Sequence, residues 1–156
     1  MCKSKNVVYK ATCTRCLSFY IGATQCELKK RFTQHYCSVK TKLETGKNKT
    51  RFSKHFACCY EREYGNKEYK VRKMKKLVRH EILWEGNPLS VVKTFGTENC
   101  RLCAEEKFAI FESNCRNFQH CVNIRSEIYS KCAHNVYFHH FYRGTEEPTG
   151  RGEKKN

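Results

Sequence analysis

The chain has 156 residues, which is enough for one domain with a modest hydrophobic core. Its 31 lysines and arginines outnumber 15 acidic residues and give a net charge of +16. This excess favours a nucleic-acid partner, because lysine and arginine displace the counterions condensed on phosphate. A membrane surface is a weaker candidate, since no basic segment has the clean apolar face of an interfacial helix.

Twelve cysteines are many for this length, and they fit either extracellular disulfides or intracellular metal binding. The N-terminal residues hold no apolar stretch of signal-peptide length, and the chain has no transmembrane run. A reducing compartment is therefore favoured over a secreted, disulfide-bonded protein. In such a compartment, closely spaced pairs of cysteines indicate zinc.

Two strands are predicted first, because residues 6–13 and 17–23 are rich in β-branched and aromatic side chains. The linking residues 13–16 are Cys-Thr-Arg-Cys, short enough only for a hairpin or a tight metal-binding turn. If these two cysteines face each other, then Tyr9 faces Tyr20. Both tyrosines would then lie on one face of the hairpin.

A helix is predicted to follow the hairpin. Its start fits a capping box at residues 24–27, with Thr24 as the N-cap and Glu27 reaching back to it. Arg31 and His35 are four residues apart, so they share a helix face. The apolar stripe at helical spacing comprises Leu28, Phe32 and Tyr36.

Three further elements are predicted downstream. Aromatic spacing indicates a helix over 50–64, an apolar run indicates a strand over 77–84, and a last helix is expected from about residue 101 to 113. In this last helix, Glu106 falls within an apolar stripe, where a carboxylate needs a cation or a donor to offset its desolvation. The lysine-rich run at 70–76 is a candidate DNA-facing stretch.

Residues 143–156 contain no aliphatic or aromatic side chain. Such a segment cannot bury enough surface to offset the entropy lost when it becomes ordered. We therefore expect a single domain over residues 1–142, followed by a disordered basic tail over 143–156.

Two motifs on the hairpin resemble those that name the GIY-YIG nuclease family. The first reads Val7-Val8-Tyr9, with two valines in place of Gly-Ile, and the second reads Tyr20-Ile21-Gly22. A Tyr-Ile-Gly triplet alone recurs by chance, so the resemblance depends on the ordered series that continues into the first helix. The later matches to the family's site residues are Arg31 and His35, Glu106 as its metal-binding glutamate, and Asn123 as its late asparagine.

Within that family, the chain is most similar to the endonuclease domains of Penelope-like retroelements. Those domains carry a Cys-x2-Cys between the two tyrosine motifs, as Cys13 and Cys16 do here, and a later Cys-x2-Cys at 100–103 also resembles them. The similarity extends over about residues 6–141. It implies an α/β (α+β) fold, in which a small, mainly antiparallel sheet of three strands is flanked by helices and stabilised by zinc.

The resemblance implies hydrolysis of DNA phosphodiester bonds with one divalent cation, Mg²⁺ or Mn²⁺, held by Glu106. It also implies a reverse transcriptase or another retroelement protein as a partner, and the DNA substrate implies a nuclear location. The alternative is a catalytically inactive, zinc-stabilised nucleic-acid-binding module. Such a module would have no need to keep the tyrosines, the arginine and the glutamate of the site.

The resemblance also implies a role for each of the other site residues. Tyr9 would act as the base on the attacking water or assist it, and Tyr20 would position the water or the phosphate. Arg31 would hold the scissile phosphate, which a planar guanidinium does bidentately. His35 would relay a proton or bind phosphate, and Asn123 would brace Tyr9 or the phosphate.

Two Cys-x2-Cys pairs, at 13–16 and 100–103, each have the half-site spacing of a tetrahedral zinc ion. The candidate zinc ligands are Cys13, Cys16, Cys100, Cys103, Cys132 and His134. All four paired cysteines could share one ion. Alternatively, the late pair could join Cys132 and His134 and leave the early pair to find His55 or the cysteines at 58–59. Such a zinc would be structural, since a full set of protein ligands leaves no position for water.

Overall fold

The computed structural model describes residues 3–47, 50–65, 68–87, 91–94, 97–117, 120–123, 127–129 and 132. Over these ranges the chain forms an α+β structure with a three-stranded antiparallel sheet and four helices. The predicted tail over 143–156 and the predicted zinc ligand His134 lie outside the described residues. None of the helices in the described ranges is long and apolar enough to cross a membrane.

The three-stranded sheet has the order β2-β1-β3. Its central strand, β1 (Val7–Cys13), pairs antiparallel with β2 (Phe19–Thr24) on one side and β3 (Val78–Glu85) on the other. Nearly every residue of β1 is buried, because helices cover both faces of the sheet at this strand. The sequence did not indicate the second, two-stranded sheet, which consists of β4 (Val91–Thr94) and β5 (Thr97–Cys100).

The four helices of the described ranges are α1 (Leu28–Thr45), α2 (Arg51–Tyr64), α3 (Val71–Leu77) and α4 (Arg101–Asn117). The helix predicted over 50–64 is confirmed, and α4 begins where predicted and continues beyond residue 113. The sequence did not indicate α3, because this short basic helix buries only Met74 and Leu77. The helix ends at Leu77, and the strand predicted over 77–84 follows it as β3.

The predicted start of the first helix is wrong. Thr24 is the last residue of β2, where it pairs with Val7, and the strand ladder keeps it out of a capping position. The N-cap is Glu27, which makes no side-chain capping bond. The capping box of this fold lies instead at α2, between Thr50 and Ser53. The apolar stripe of α1 is confirmed, with Leu28, Phe32 and Tyr36 all buried.

The hairpin register is shifted by two residues from the predicted one, so that Tyr9 faces Gly22 instead of Tyr20. The turn is longer than expected, because the backbone N–H of Cys13 donates to the carbonyl of Ser18 across 2.8 Å. A shift of two residues leaves the alternation of faces unchanged. Both tyrosines therefore lie on the same face, as predicted, but as diagonal neighbours.

The sheet separates two hydrophobic clusters. One face packs Tyr9 against aromatic residues of α1 and α2, including Phe32 and Phe52. The other face packs Val8 and Ile21 against α4. Because β2 lies at one edge of the sheet, side chains from helices on both faces can meet there.

Gly22 lies directly opposite Tyr9 and leaves no room for a side chain. A Cβ atom at this position would lie 2.6 Å from the hydroxyl oxygen of Tyr9 and 2.8 Å from Cε1 of Tyr20. Because Tyr9 is fully buried and cannot swing away, we expect Gly22→Ala to lower the free energy of unfolding by about 1–3 kcal/mol, measured by urea denaturation.

The matched test repeats this substitution in a Tyr9→Phe background, which lacks the hydroxyl oxygen that would lie nearest to the new Cβ. The alanine should lower the free energy of unfolding less in that background than in the parent. An equal loss in both backgrounds would contradict the crowding explanation.

Candidate functional site

The Tyr9 hydroxyl is the meeting point of β1 and α1. It lies 2.6 Å from Nε2 of His35, and Nε of Arg31 donates to it across 3.4 Å. Arg31 and His35 are one helical turn apart, so both project from the same face of α1 onto the sheet. The predicted shared face of these two residues is therefore confirmed, and both contact Tyr9.

The chemistry of the three groups sets the direction of the hydrogen bonds. A guanidinium has no acceptor, so Tyr9 accepts from Arg31 and gives its own proton to His35. Burial, helped by the charge of Arg31, lowers the pKa of His35 to about 3, which keeps the imidazole neutral and its Nε2 free to accept. The result is a directed chain from Arg31 through Tyr9 to His35.

Both tyrosines are neutral phenols at physiological pH. Burial raises the pKa of Tyr9 to about 12, against the opposing charge of Arg31. Burial also raises the pKa of Tyr20, and the nearby Tyr9 and Glu106 raise it further. Either phenol would need an additional positive charge close by before it could lose its proton.

Glu106 acts electrostatically on the same site from α4, on the opposite face of the sheet. Its negative charge acts on both tyrosines and on Arg31, raising the pKa of each. Its carboxylate is half-buried on α4, between the buried side chains of Leu102 and Ile110. The carboxylate that interrupts the apolar stripe of α4 therefore lies within electrostatic range of the tyrosine site.

Phe52 of α2 forms the floor of the site. Its ring stacks on His35, with centroids 4.1 Å apart and planes 22° apart, and meets the edge of the Tyr20 ring at 5.8 Å. The helical spacing of aromatic residues predicted the helix that carries Phe52. Nothing in the sequence indicated that Phe52 lies beneath the site, because this contact joins separate elements.

Asn123 lies against the outer edge of β2 and not against Tyr9. Its amide oxygen accepts from the backbone N–H of Ile21 at 2.7 Å, and its amide nitrogen donates to the carbonyl of Ile21 at 2.9 Å. The expectation that Asn123 braces Tyr9 is therefore wrong, whereas the alternative role at the phosphate stays a prediction. The amide instead holds the backbone next to Tyr20, as a neighbouring strand would.

A first metal-binding cluster consists of Cys13, Cys16, His55 and Cys59, whose sulfur and nitrogen atoms all lie within 4.8 Å of one another. The sulfurs of Cys16 and Cys59 are 3.9 Å apart, and they lie 3.4 and 3.5 Å, respectively, from Nε2 of His55. In a tetrahedral zinc site these edges measure about 3.8 Å between sulfurs and about 3.5 Å between sulfur and nitrogen. The cluster can therefore hold a metal ion such as zinc.

The local fold explains how this cluster forms. The hairpin turn brings Cys13 beside Cys16, and α2 presents His55 and Cys59 on one face because they are four residues apart. A hydrogen bond from Cys59, with help from His55, lowers the pKa of Cys13 to about 3, which favours the thiolate that a metal binds. Of the two cysteines at 58–59, only Cys59 joins the cluster.

A second cluster consists of Cys100, Cys103 and Cys132, all buried. The sulfur of Cys132 lies 3.7 Å from that of Cys100 and 3.4 Å from that of Cys103. These three residues can also hold a metal ion, and the predicted fourth ligand, His134, lies outside the described residues. The alternative in which all four paired cysteines share one ion is wrong, because the two pairs belong to separate clusters.

No protein-family model, curated protein or solved structure matches this chain. What the site can do therefore has to follow from its own residues and their geometry.

Zinc content tests the first cluster. We expect the purified protein to contain zinc and Cys59→Ser to lose about one equivalent per chain, because three remaining ligands hold the ion less tightly. Cys58→Ser is the matched control, since Cys58 is exposed on the same helix and lies outside the cluster. Elemental analysis that finds equal zinc in the two variants would contradict the assignment.

Acid titration tests the buried state of His35. Its pKa falls from 6.5 to about 3 on folding, so between these values only the unfolded chain binds the proton. The free energy of unfolding should therefore fall as pH drops through this window, by up to about 1.4 kcal/mol per pH unit from this residue.

The variant His35→Gln keeps an acceptor for Tyr9 but cannot titrate. Urea denaturation at about pH 7 and about pH 5 should therefore show a smaller loss for this variant than for the parent. The same loss in both proteins would mean that His35 is not held neutral by the fold.

Proposed function

We propose that the protein is a metal-dependent DNA endonuclease of the GIY-YIG type, which hydrolyses phosphodiester bonds. The observation that carries this proposal is the convergence of an arginine, a neutral histidine, one buried and one partly buried phenol beside strands β1 and β2, with a carboxylate within electrostatic range. A packing role alone does not favour such a set, because desolvating an arginine and a glutamate costs free energy. Perturbed titratable groups that cluster in this way are typical of catalytic sites.

Glu106 would hold the catalytic cation, Mg²⁺ or Mn²⁺, together with oxygens of the substrate phosphate. Its oxygen donors suit such hard ions, whereas the sulfur-rich cysteine clusters do not. When bound, the ion would polarise the scissile phosphate and acidify a water molecule. The half-buried position of Glu106 leaves its carboxylate accessible to an ion from solvent.

Tyr9 and His35 would handle the proton of the attacking water. As Tyr9 accepts that proton, its own hydroxyl proton would transfer along the hydrogen bond to Nε2 of His35, whose two heavy atoms lie 2.6 Å apart, so that no free tyrosinate forms. His35 is a weak base in the free protein because of burial and the charge of Arg31. A phosphate bound to Arg31 would neutralise that charge and strengthen His35 as an acceptor.

Arg31 would hold the scissile phosphate while keeping its bond to Tyr9. Its guanidinium donates through Nε to Tyr9 and through Nη1 to Gln34, which fixes its plane beside the hydroxyl. A planar guanidinium fixed in this way suits two phosphate oxygens. Tyr20 and Phe52 would confine the phosphate and water from below.

Both cysteine clusters would hold structural zinc. The first would tie the hairpin turn to α2, which carries Phe52 of the site floor. The second would hold the start of α4, where Cys103 precedes Glu106 by one helical turn. DNA as substrate, a reverse transcriptase or other retroelement protein as partner, and a nuclear location complete this proposal.

The second candidate is a nucleic-acid-binding module without catalysis. One observation favours it: the Tyr9 side chain is fully buried, so water would reach its hydroxyl only after a local rearrangement. The net charge of +16 and the cysteine clusters would serve such a module equally well. Cleavage assays separate the two candidates.

The decisive experiment incubates supercoiled plasmid with the parent protein, with and without added Mg²⁺ or Mn²⁺. Withholding the ion, instead of chelating it, spares the zinc sites. We expect nicking by the parent and a loss of about 100-fold or more in Glu106→Ala and in Tyr9→Phe. Glu105→Ala is the matched control, because this neighbouring carboxylate pairs with Arg101 on the same helix.

Circular dichroism and zinc content should match among the four proteins. A folded, zinc-loaded parent that binds the plasmid but never cuts it would move the binding-module candidate ahead. Equal loss of nicking in Glu105→Ala and Glu106→Ala would remove Glu106 as the metal ligand.

A further inference from the structure

A cleft of about 460 Å³ lies beside the tyrosine site, between α2 and residues 120–122. One wall is the exposed face of α2. The opposite wall is formed by Ser18 and by residues 120–122. The backbone N–H of Phe19 donates to the carbonyl of His120, and the backbone N–H of Val122 donates to the carbonyl of Phe19. None of the described residues that line the cleft is acidic.

The α2 wall carries a row of cations. Arg51, Lys54 and Arg62 all line the cleft, and their spacing of three and eight residues places them along one side of the helix. All three are exposed, and within the described ranges none of them forms an ion pair with a carboxylate. Arg51 and Arg62 are eleven positions apart, so the row extends about 16 Å along the helix axis.

The first metal cluster forms the base of this wall, since Cys16, His55 and Cys59 also line the cleft. A divalent ion with three thiolates and a neutral histidine carries one net negative charge. The three cations of α2 exceed this charge, so the cleft remains positive when the cluster is filled. Such a cleft favours an extended polyanion.

The cleft opens next to the candidate active site. Ser18 immediately precedes the edge strand β2 and lies two residues before Tyr20. Arg51 immediately precedes Phe52, whose ring stacks on His35. A chain of phosphates that passes the Tyr20 edge would therefore continue along the α2 wall.

We propose that this cleft binds the phosphodiester backbone of the DNA strand next to the phosphate that is cut. The row of Arg51, Lys54 and Arg62 contacts consecutive phosphates and sets how the strand enters the site. Cleavage of that phosphate rests on the nuclease function proposed above, whereas binding of the backbone in the cleft does not. The cleft contacts phosphates and not bases, so it contributes affinity and positioning without sequence preference.

The test measures binding of a short fluorescein-labelled duplex DNA by fluorescence anisotropy, without Mg²⁺, over a series of salt concentrations. The doubly substituted Arg51→Gln/Arg62→Gln protein should bind about tenfold more weakly at low salt. Its slope of log K against log salt should become shallower by about 1.8, at about 0.9 for each lost phosphate contact. Arg51→Lys/Arg62→Lys keeps both charges and should retain the parent's slope.

The matched control is Arg72→Gln/Lys75→Gln, which removes two exposed cations from α3. This helix leads into β3, at the edge of the sheet opposite β2, and belongs to the lysine-rich run that the sequence alone favoured for DNA contact. Its substitution should leave the slope nearly unchanged. If Arg72→Gln/Lys75→Gln makes the salt slope shallower and Arg51→Gln/Arg62→Gln does not, the proposal is overturned.

Plasmid nicking by the same proteins keeps this proposal separate from the nuclease function. If the parent cuts the plasmid and Arg51→Gln/Arg62→Gln binds and cuts it equally well, the proposed role of the cleft is overturned and the nuclease function is retained. If the parent never cuts the plasmid but Arg51→Gln/Arg62→Gln still has a shallower salt slope than the parent, the role of the cleft in binding is supported and the nuclease function is rejected. Circular dichroism and zinc content should be equal in all variants.

Discussion

The buried hydroxyl of Tyr9 is the constraint on which the arrangement of this fold depends. A phenol at the centre of the middle strand must satisfy its hydrogen-bonding capacity inside the protein, and among the described residues Arg31 and His35 do so. These bonds set how α1 lies across the sheet. Because Gly22 has no side chain, β2 can pack directly against the ring of Tyr9.

The cysteine clusters give α2 and α4 a second attachment to the sheet, besides the side chains that these helices bury in the core. A chain of this length has a modest core, and α2 and α4 each attach to the sheet near a group of sulfur ligands. A metal ion at the first cluster would join the hairpin turn to the helix beneath His35. A metal ion at the second would join the start of α4 to Cys132. Both would act on elements that carry residues of the candidate site.

The candidate site and the basic cleft both lie at the edge of the sheet formed by β2. Asn123 binds the backbone of this strand from outside, Tyr20 projects from it, and Glu106 approaches it from the opposite face. The basic cleft adjoins the same edge. Side chains from helices on both faces can reach this edge strand, and Tyr9 of the neighbouring β1 completes the candidate site from the face that α1 covers.

The sequence by itself determined the features that depend on local periodicity and on residue type. These include the hairpin, the buried stripe of α1, the shared face of Arg31 and His35, and the capacity of the cysteine pairs for metal. The tertiary structure alone decided the hairpin register, because turn closure between Cys13 and Ser18 sets it. It also decided which cysteines join His55, since ligands from separate elements meet only after packing. The same reason applies to Phe52 beneath the site and to the cleft, whose contacts cross between elements that are distant in sequence.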